Sequence, residues 1–593
     1  MRQFLKLFRI LELAQRRRLW LILFGITAAA IIDAAGVASI APFLALVANS
    51  GSPAVMGALG GLRSFIGVTD ASSFMILVGL LSLAVIVTSS LLNAWVTWAQ
   101  VRFTYNIGFT VSRRLLASYL AKDQVVLLSR NSAEMGKNIL SEVDRLVGSA
   151  LLPAITLVSR IALAVCIVLI LLVIEPVLAL MLAVVLGSVY IVIYLVIKRR
   201  LANVGEVAME GNKARFQAVA EVFAALRELR LYGRVSNFVR RFDAPALAYA
   251  NAHAAALCIG QMPKFILEPL AFGSVILIVV YQIQSGGNLA TAMPMIGLFA
   301  FAGYRLLPAF QNIFLAFSTL RFYLPALEVV LTDLQGTPDR SDDGRAPERA
   351  PFAGELVLRD VAFSYGNGID VLDAINLAIK AKSSVGLIGR TGSGKTTLVS
   401  LILGLLSPTS GSIWVDGVPL QGSTLTAWQR RIGYVPQDVF LTDDTIAANI
   451  ALGIPQGEIN QAAVVRAARL ANIHDFIAGL PGGYDTPAGE RGARLSGGQR
   501  QRIGIARALY HDPDVVVFDE ATSGLDTETE EAVMAAIDRL AGERTLIIIA
   551  HRPGALRRAN VVHLVERGRI VASGTLKDLQ PLLDLEGTAA SAA

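Results

Sequence analysis

The sequence predicts two unlike halves: an all-α membrane half of six helices, and an α/β half that binds phosphate. Three observations carry this. Of the 593 residues, 54% are hydrophobic, more than a soluble globular chain carries. Six apolar runs long enough to cross a bilayer lie before residue 320. From residue 355 onward, strand-like runs alternate with helical ones around a complete phosphate-loop pattern, "GRTGSGKT".

The apolar runs lie near 19–47, 74–98, 154–174, 177–197, 265–283 and 290–317. A spanning helix needs about 20 residues, so the first and last must tilt or project from the membrane. Basic residues set the orientation. Segments 1–18, 99–150 and 198–264 carry 24 Lys and Arg, whereas 48–73, 175–176 and 284–289 carry one, Arg63. The basic side is therefore expected to be cytoplasmic, with both termini there. No cleavable signal pattern precedes the first run, so it is expected to stay as an anchor. The net charge of +7 thus belongs to membrane loops and argues for no nucleic-acid partner. Two cysteines, Cys166 and Cys258, build neither a disulfide framework nor a CxxC metal pattern and read as small apolar fillers.

Both long cytoplasmic loops read as amphipathic helix. In "AALRELRLYGRVSNFVRRF" (224–242), Leu226, Leu229, Val235, Phe238 and Val239 fall near helical spacing with arginines between them. The external stretch 55–65 reads either as a short interfacial helix or as a glycine-weakened loop. The membrane half is expected over 1–333. A polar stretch rich in Pro, Asp and Arg, 334–354, reads as a linker. The α/β half follows over 355–583, and 584–593 reads as a disordered tail.

The phosphate loop has its proper setting: "SVGLIG" before it reads as a strand and "KTTLVSLILGLL" after it as a helix. Gly389, Arg390, Thr391, Gly392, Ser393, Gly394, Lys395, Thr396 and Thr397 are the candidate phosphate-binding residues. Backbone N–H groups would close around phosphates at the positive end of a helix. Lys395 would hold the β/γ-phosphates and the Thr396 hydroxyl a Mg²⁺ ion. "VVVFDE" ends a buried strand in two carboxylates, which can divide labour: Asp519 supports the metal and Glu520 polarises the attacking water.

"LSGGQ" (Leu495–Gln499) is separated from Glu520 by twenty residues. With it, the second half resembles the ATP-binding cassette (ABC) ATPases. That resemblance implies ATP and Mg²⁺ as ligands. It makes Tyr365 of "FSYG" the aromatic that stacks on adenine, Gln437 of "VPQD" a sensor of Mg²⁺ and of the membrane domain, and His551 of "IIIAHR" a γ-phosphate switch that joins Glu520 in catalysis. Asp526 falls in the family's D-loop, and "GERG" (489–492) in a motif that exporters place beside the coupling helices. Ser496, Gly497, Gly498 and Gln499 would close on the nucleotide of a second subunit. One copy of each motif then implies a homodimer with two sites. Gly524 stands where Ala is commoner, and Pro553 follows the switch histidine unusually soon; both bear on hydrolysis rate. His253, His474, His511 and His563 fit no motif and read as ordinary packing residues.

Six spans followed by one cassette resemble the ABC exporters, which have swapped fourth and fifth helices. Two stretches, "MPKFILEPLAF" (262–272) and "GYRLLPAF" (303–310), resemble bacterial flippases of lipid-linked oligosaccharides. The resemblance implies a homodimer in the bacterial inner membrane that moves a polyprenyl-pyrophosphate glycan to the outer leaflet. An exporter of amphipathic drugs, or of another lipid such as lipid A, is the alternative. A charge at the bilayer centre costs about 2.5–3.5 kcal/mol even on the lenient insertion scale, so Arg305 needs a reason. Either it and Lys264 meet an anionic substrate head group, or Arg305 pairs with Asp33 and braces the helices.

Overall fold

Every apolar run of the first half lies on a helix longer than the run itself. The computed structural model describes residues 11–48, 70–128, 130, 132–284, 289–335, 351–366, 370–521 and 527–582. The chain divides into two units, Met1–Lys122 with Leu127–Arg340, and Asp123–Val126 with Ser341–Ala593. Among the described residues the first unit holds six long helices: α1 (Leu13–Ala48), α2 (Ala71–Leu120), α3 (Leu152–Ile174), α4 (Pro176–Ala224), α5 (Val235–Gln284) and α6 (Leu289–Gln335). Four described stretches, Leu13–Val47, Ser72–Leu120, Glu134–Ile174 and Ala179–Ala224, are long and apolar enough to cross a membrane. The expected runs 265–283 and 290–317 fall on α5 and α6, partly outside the residues whose side chains are described. The stretch 55–65 and the tail 584–593 also lie outside the described residues.

Polar rungs fix how α1 and α2 pair. Gln15 Nε2 donates to Thr110 Oγ1 (3.2 Å), Ser89 Oγ to Asp33 Oδ1 (2.7 Å) and Ser82 Oγ to the Ser39 carbonyl (2.9 Å). Numbers rise on one helix as they fall on the other, so the pair is antiparallel. Between α3 and α4 the break is a single residue: Glu175 sits at φ −142°, and Pro176, which lacks an N–H, opens the next helix.

Two sequence expectations change here. The segment 224–242 is not one amphipathic helix. It forms a short helix, Leu226–Leu231, then a turn through Gly233 at φ +64°, before α5 begins at Val235. Only Leu229 of its expected apolar stripe is buried; Val235 and Val239 are exposed. The turn needs a left-handed residue, and glycine supplies it. Cys258 likewise is exposed rather than packed, while Cys166 is half-buried against the α1–α3–α6 core.

The basic ends of the helices are tied by a buried carboxylate. Asp333, near the end of α6 and 4% exposed, accepts from the Tyr119 hydroxyl, from Arg130 Nη1 (2.7 Å) and from Asn138 Nδ2 (3.2 Å), with Lys122 Nζ at 3.9 Å. Burial pushes its carboxyl upward, but the hydrogen bonds from Tyr119 and Arg130 outweigh it and hold the group below its ordinary range.

In the second unit two sheets form. An antiparallel sheet orders β2 (Asp370–Lys380), β1 (Glu355–Ser364), β4 (Ser410–Val415) and β5 (Val418–Pro419). The other orders β10 (Arg569–Gly574), β9 (Val561–Glu566), β3 (Ser384–Ile388), β8 (Thr545–Ile549), β7 (Val515–Asp519) and β6 (Ile432–Val435), parallel except at β10. Every residue of β3, β7 and β8 is buried, as expected for parallel strands covered on both faces. The α/β unit begins before residue 355. Phe352, expected in the linker, is buried edge-on against Trp428 with ring centroids 5.4 Å apart. Residues 336–350 of that linker lie outside the described residues.

Asp333→Ala should destabilise the detergent-solubilised protein by about 1–3 kcal/mol at pH 7, because the buried Tyr119 hydroxyl and Asn138 amide lose their acceptor and Arg130 its counter-charge. A depressed carboxylate contributes stability above its unfolded pKa of about 4 and loses it as pH falls through the lower folded value. Thermal unfolding should therefore show the gap between wild type and variant closing below about pH 4; a gap that stays constant would remove the ionic role.

Candidate functional site

Register builds the site. Asp519 of β7 pairs with Ile549 of β8, and Leu387 of β3 pairs with the same Ile549, so these strands end level. The residues that follow them, the loop from Gly389, Glu520 and His551, therefore emerge at one edge of the sheet. Ligands of open α/β sheets bind at such carboxyl ends.

The phosphate loop lies between β3 and helix α7 (Lys395–Ile402). Gly394 at its turn has φ +103°, and a Cβ on Gly389 would stand 2.1 Å from the Val565 carbonyl oxygen, so neither position accepts a side chain. Lys395 Nζ donates to the carbonyls of Gly389 (2.8 Å) and Arg390 (2.9 Å), folding the ammonium into the loop. Burial pushes its pKa down, opposed by the charges of Glu520 and Asp519. Thr391, Gly392 and Thr396 are exposed, while Thr397 is buried and its hydroxyl lies 3.1 Å from that of Tyr365. Tyr365 is 39% exposed and packs edge-on against Phe363, which leaves a ring face free.

Glu520 carries the clearest geometry. It has φ +51°, a strained value for a residue with a Cβ, immediately after a fully buried strand. Its Oε1 lies 2.7 Å from His551 Nε2, and its Oε2 accepts from Gln437 Nε2 at 2.9 Å. Each carboxylate oxygen thus has its own partner from a different strand end. Beside it, Asp519 is buried and accepts from the Tyr434 hydroxyl at 3.2 Å. Burial pushes the Asp519 carboxyl above its ordinary range, and the Tyr434 bond opposes this. Tyr434 was not legible as a site residue: one tyrosine in a strand carries no signal until the strand order places it next to β7.

The donor set fits a nucleotide with its metal. The buried Ser393 Oγ makes no hydrogen bond among the described residues, an orphaned polar atom inside the glycine cradle. Thr396, Gln437 and Asp519 offer the oxygen donors that Mg²⁺ prefers.

Ser496–Gln499 stands apart from these groups. Ser496 caps helix α8 (Gly497–Leu509) and accepts from the Gln499 N–H (3.3 Å), while Gln499 Oε1 accepts from the Ser496 N–H (2.8 Å). Ser496 and Gly497 are exposed and Gly498 is buried. Among the described residues no hydrogen bond joins this segment to the phosphate loop. Arg491 of "GERG" adopts φ +54° and is exposed. Asp526 and Gly524 lie outside the described residues. His563 is buried and bonded to Ser573 (2.7 Å), and His474 is bonded to Tyr484 (2.8 Å).

In the membrane unit the two expected head-group cations differ in their partners. Arg305 Nη1 lies 3.2 Å from Asp33 Oδ1, the oxygen that also accepts from Ser89. Asp33 is 4% exposed, and a carboxylate so buried requires a cation. The Arg305 side chain remains 27% exposed and its guanidinium lies 5.9 Å from the Phe301 ring centre. Lys264 is exposed on α5 and forms no ion pair among the described residues.

Comparison with known families agrees with both halves. The ABC transporter transmembrane region matches residues 38–302, and the ABC transporter family model matches 372–523. The chain belongs to the ABC transporters. This ABC transporter is 45% identical over 259 residues to an ATP-dependent lipid A-core flippase of Saccharophagus degradans, covering 44% of this chain and 43% of that one. It is 36% identical over 396 residues to the flippase of the same name from Ralstonia nicotianae, covering 66% of each. The chain thus spans between 43% and 66% of the length of these two relatives. A solved bacterial Atm1-family ABC exporter with ATP bound superposes with a TM-score of 0.79 at 23% identity, over 98% of this chain and 99% of that one. That likeness establishes the exporter-type fold, a helical transmembrane domain joined to an α/β nucleotide-binding domain.

The Asp33–Arg305 pair makes a direct prediction. Arg305→Ala leaves a buried carboxylate with Ser89 alone and should lower stability by about 3–5 kcal/mol. The double change Arg305→Ala with Asp33→Ala should recover most of that loss. A stable single variant in a thermal melt would show that the pair is not what keeps Arg305 in the membrane.

Proposed function

We propose that this ABC transporter works as a homodimer that hydrolyses ATP to flip an anionic, saccharide-bearing lipid of the lipid A-core class across a bacterial inner membrane. The observation that carries the ATPase reading is the Glu520 carboxylate, held between His551 and Gln437 at the level edge of the sheet. So held, one carboxylate oxygen can take a proton from water while the other keeps the group oriented. Lys395 would turn from its loop carbonyls to phosphate oxygens, and the Gly389–Gly394 backbone would cradle them. Mg²⁺ held by Thr396, Gln437 and Asp519 would neutralise phosphate charge when bound. Tyr365 offers its free ring face to adenine.

The capped and exposed Ser496–Gln499 segment supports a site shared between subunits, since it presents an N-terminal helix end outward rather than to its own phosphate loop. The basic segments favour a cytoplasmic position for both termini. The names of the relatives favour lipid A-core as substrate class. A second reading, a polyprenyl-pyrophosphate glycan, is favoured by "MPKFILEPLAF" and "GYRLLPAF". In that reading Lys264 and Arg305 serve the pyrophosphate, and Arg305 must exchange Asp33 for it.

Purified protein in liposomes, offered fluorescent lipid A-core and fluorescent polyprenyl-pyrophosphate saccharide separately, decides between them. Faster ATP-dependent loss of lipid A-core from the donor leaflet is the expected result. Preference for the polyprenyl substrate would install the second reading, and movement of neither would remove both.

Glu520→Gln should keep nucleotide binding and lower hydrolysis by at least about 100-fold, the usual worth of a positioned base. Lys395→Ala and Ser496→Arg should each abolish hydrolysis as homodimers. Mixed dimers of the two should retain at most one working site. Normal turnover in either single variant would dismiss the shared site.

A further inference from the structure

We propose a binding site for an anionic glycerophospholipid at the basic ends of α1 and α2, independent of the transport substrate. A cavity of about 230 Å³ opens there, lined by Gln15 and Arg18 of α1 and by Phe103, Asn106, Ile107 and Thr110 of α2. The Gln15–Thr110 hydrogen bond (3.2 Å) closes it on one side and fixes the spacing of the helices. Its chemistry is two-sided: a guanidinium, two amides and a hydroxyl against buried Phe103 and Ile107.

The surroundings identify the ligand. Arg16, Arg17 and Arg18 are consecutive and exposed, and Arg17 and Arg18 form no ion pair among the described residues. Arg16 is engaged, donating from Nε to the Leu11 carbonyl (3.1 Å). The neighbouring acid, Glu12, is exposed, and its N–H donates to Gln15 Oε1 (3.1 Å). Arg102 lies 5.1 Å from the ring centre of Trp98. Phe109, which also lines the cavity, is exposed and shares one face of α2 with the exposed Leu91 and Trp98. On α1, Trp20 and Phe24 are exposed farther along the helix. Tryptophan and arginine together mark a membrane interface. A cationic, hydrogen-bonding cavity that an exposed apolar stripe of α2 enters through Phe109 matches a phosphodiester head group with its acyl chains along that stripe. Basic clefts between membrane helices hold anionic lipid head groups by this combination. A free phosphate would use the arginines but leave the exposed Phe109 stripe without purpose.

The test is native mass spectrometry of the full chain released from micelles containing equal phosphatidylglycerol and phosphatidylcholine. Wild type should retain phosphatidylglycerol in preference. Arg18→Gln should reduce that preference about fivefold, the worth of one interfacial cation, and Arg18→Lys should keep most of it. Asn106→Trp, which fills the cavity, should abolish it. A second measurement needs no variant. Three of the five tryptophans, Trp20, Trp95 and Trp98, are exposed on α1 and α2 within about three turns of the lining residues, so brominated phosphatidylglycerol should quench fluorescence more than brominated phosphatidylcholine at equal mole fraction. Millimolar inorganic phosphate should not relieve that quenching. Equal retention and equal quenching by the two lipids would overturn the proposal. So would an unchanged preference in both Arg18→Gln and Asn106→Trp, and displacement by phosphate would reduce the site to a simple anion contact.

Discussion

The parallel register of β3, β8 and β7 is the constraint on which the α/β unit depends. Their pairing sets Leu387, Ile549 and Asp519 level, so the three strands stop together. The phosphate loop, His551 and the two carboxylates are then neighbours because they follow these strands. Burial of every residue in these strands keeps the register from slipping, because a shift of one residue would exchange the side chains packed on the two covered faces and disrupt both. The strained backbone of Glu520 is tolerated for the same reason. Its N–H donates to the Ile549 carbonyl (3.1 Å), so the ladder holds the residue in a conformation it would not choose.

Much of this unit was legible because its chemistry is local in sequence. "GRTGSGKT" requires its glycines where the backbone turns and closes, and the structure shows a Cβ excluded at Gly389. "VVVFDE" reads as a buried strand because an unbroken apolar run of that length suits a strand covered on both faces. What escaped was set by tertiary neighbours. Tyr434 reaches Asp519 only because β6 lies beside β7, and the Tyr365–Thr397 contact joins residues 32 positions apart. Phe352 looked like linker because proline and charge surround it, yet one aromatic with a partner, Trp428, was enough to place it in the core.

The membrane half was legible in a different way. Length and apolarity foretold the helices, but not how far they extend beyond the runs, since polar residues continue a helix as readily as apolar ones once it is nucleated. Charges were harder. Sequence left Arg305 with two explanations, and the structure places it against Asp33. The pair does not by itself decide what crosses the membrane. It does set a condition: any anion that recruits Arg305 must compete with a buried carboxylate already bonded to Ser89.

The three rungs between α1 and α2 have a mechanical consequence. Gln15–Thr110, Asp33–Ser89 and Ser39–Ser82 are spaced along nearly the full length of α1, from its start to within three turns of its end. Sliding one helix past the other would break all three contacts together, leaving polar groups stranded among apolar ones. Bending at one point would break only the nearest. The two helices are therefore stiff in shear and comparatively soft in flexure, so they transmit displacement as a single strut whose ends move together while its middle can bow.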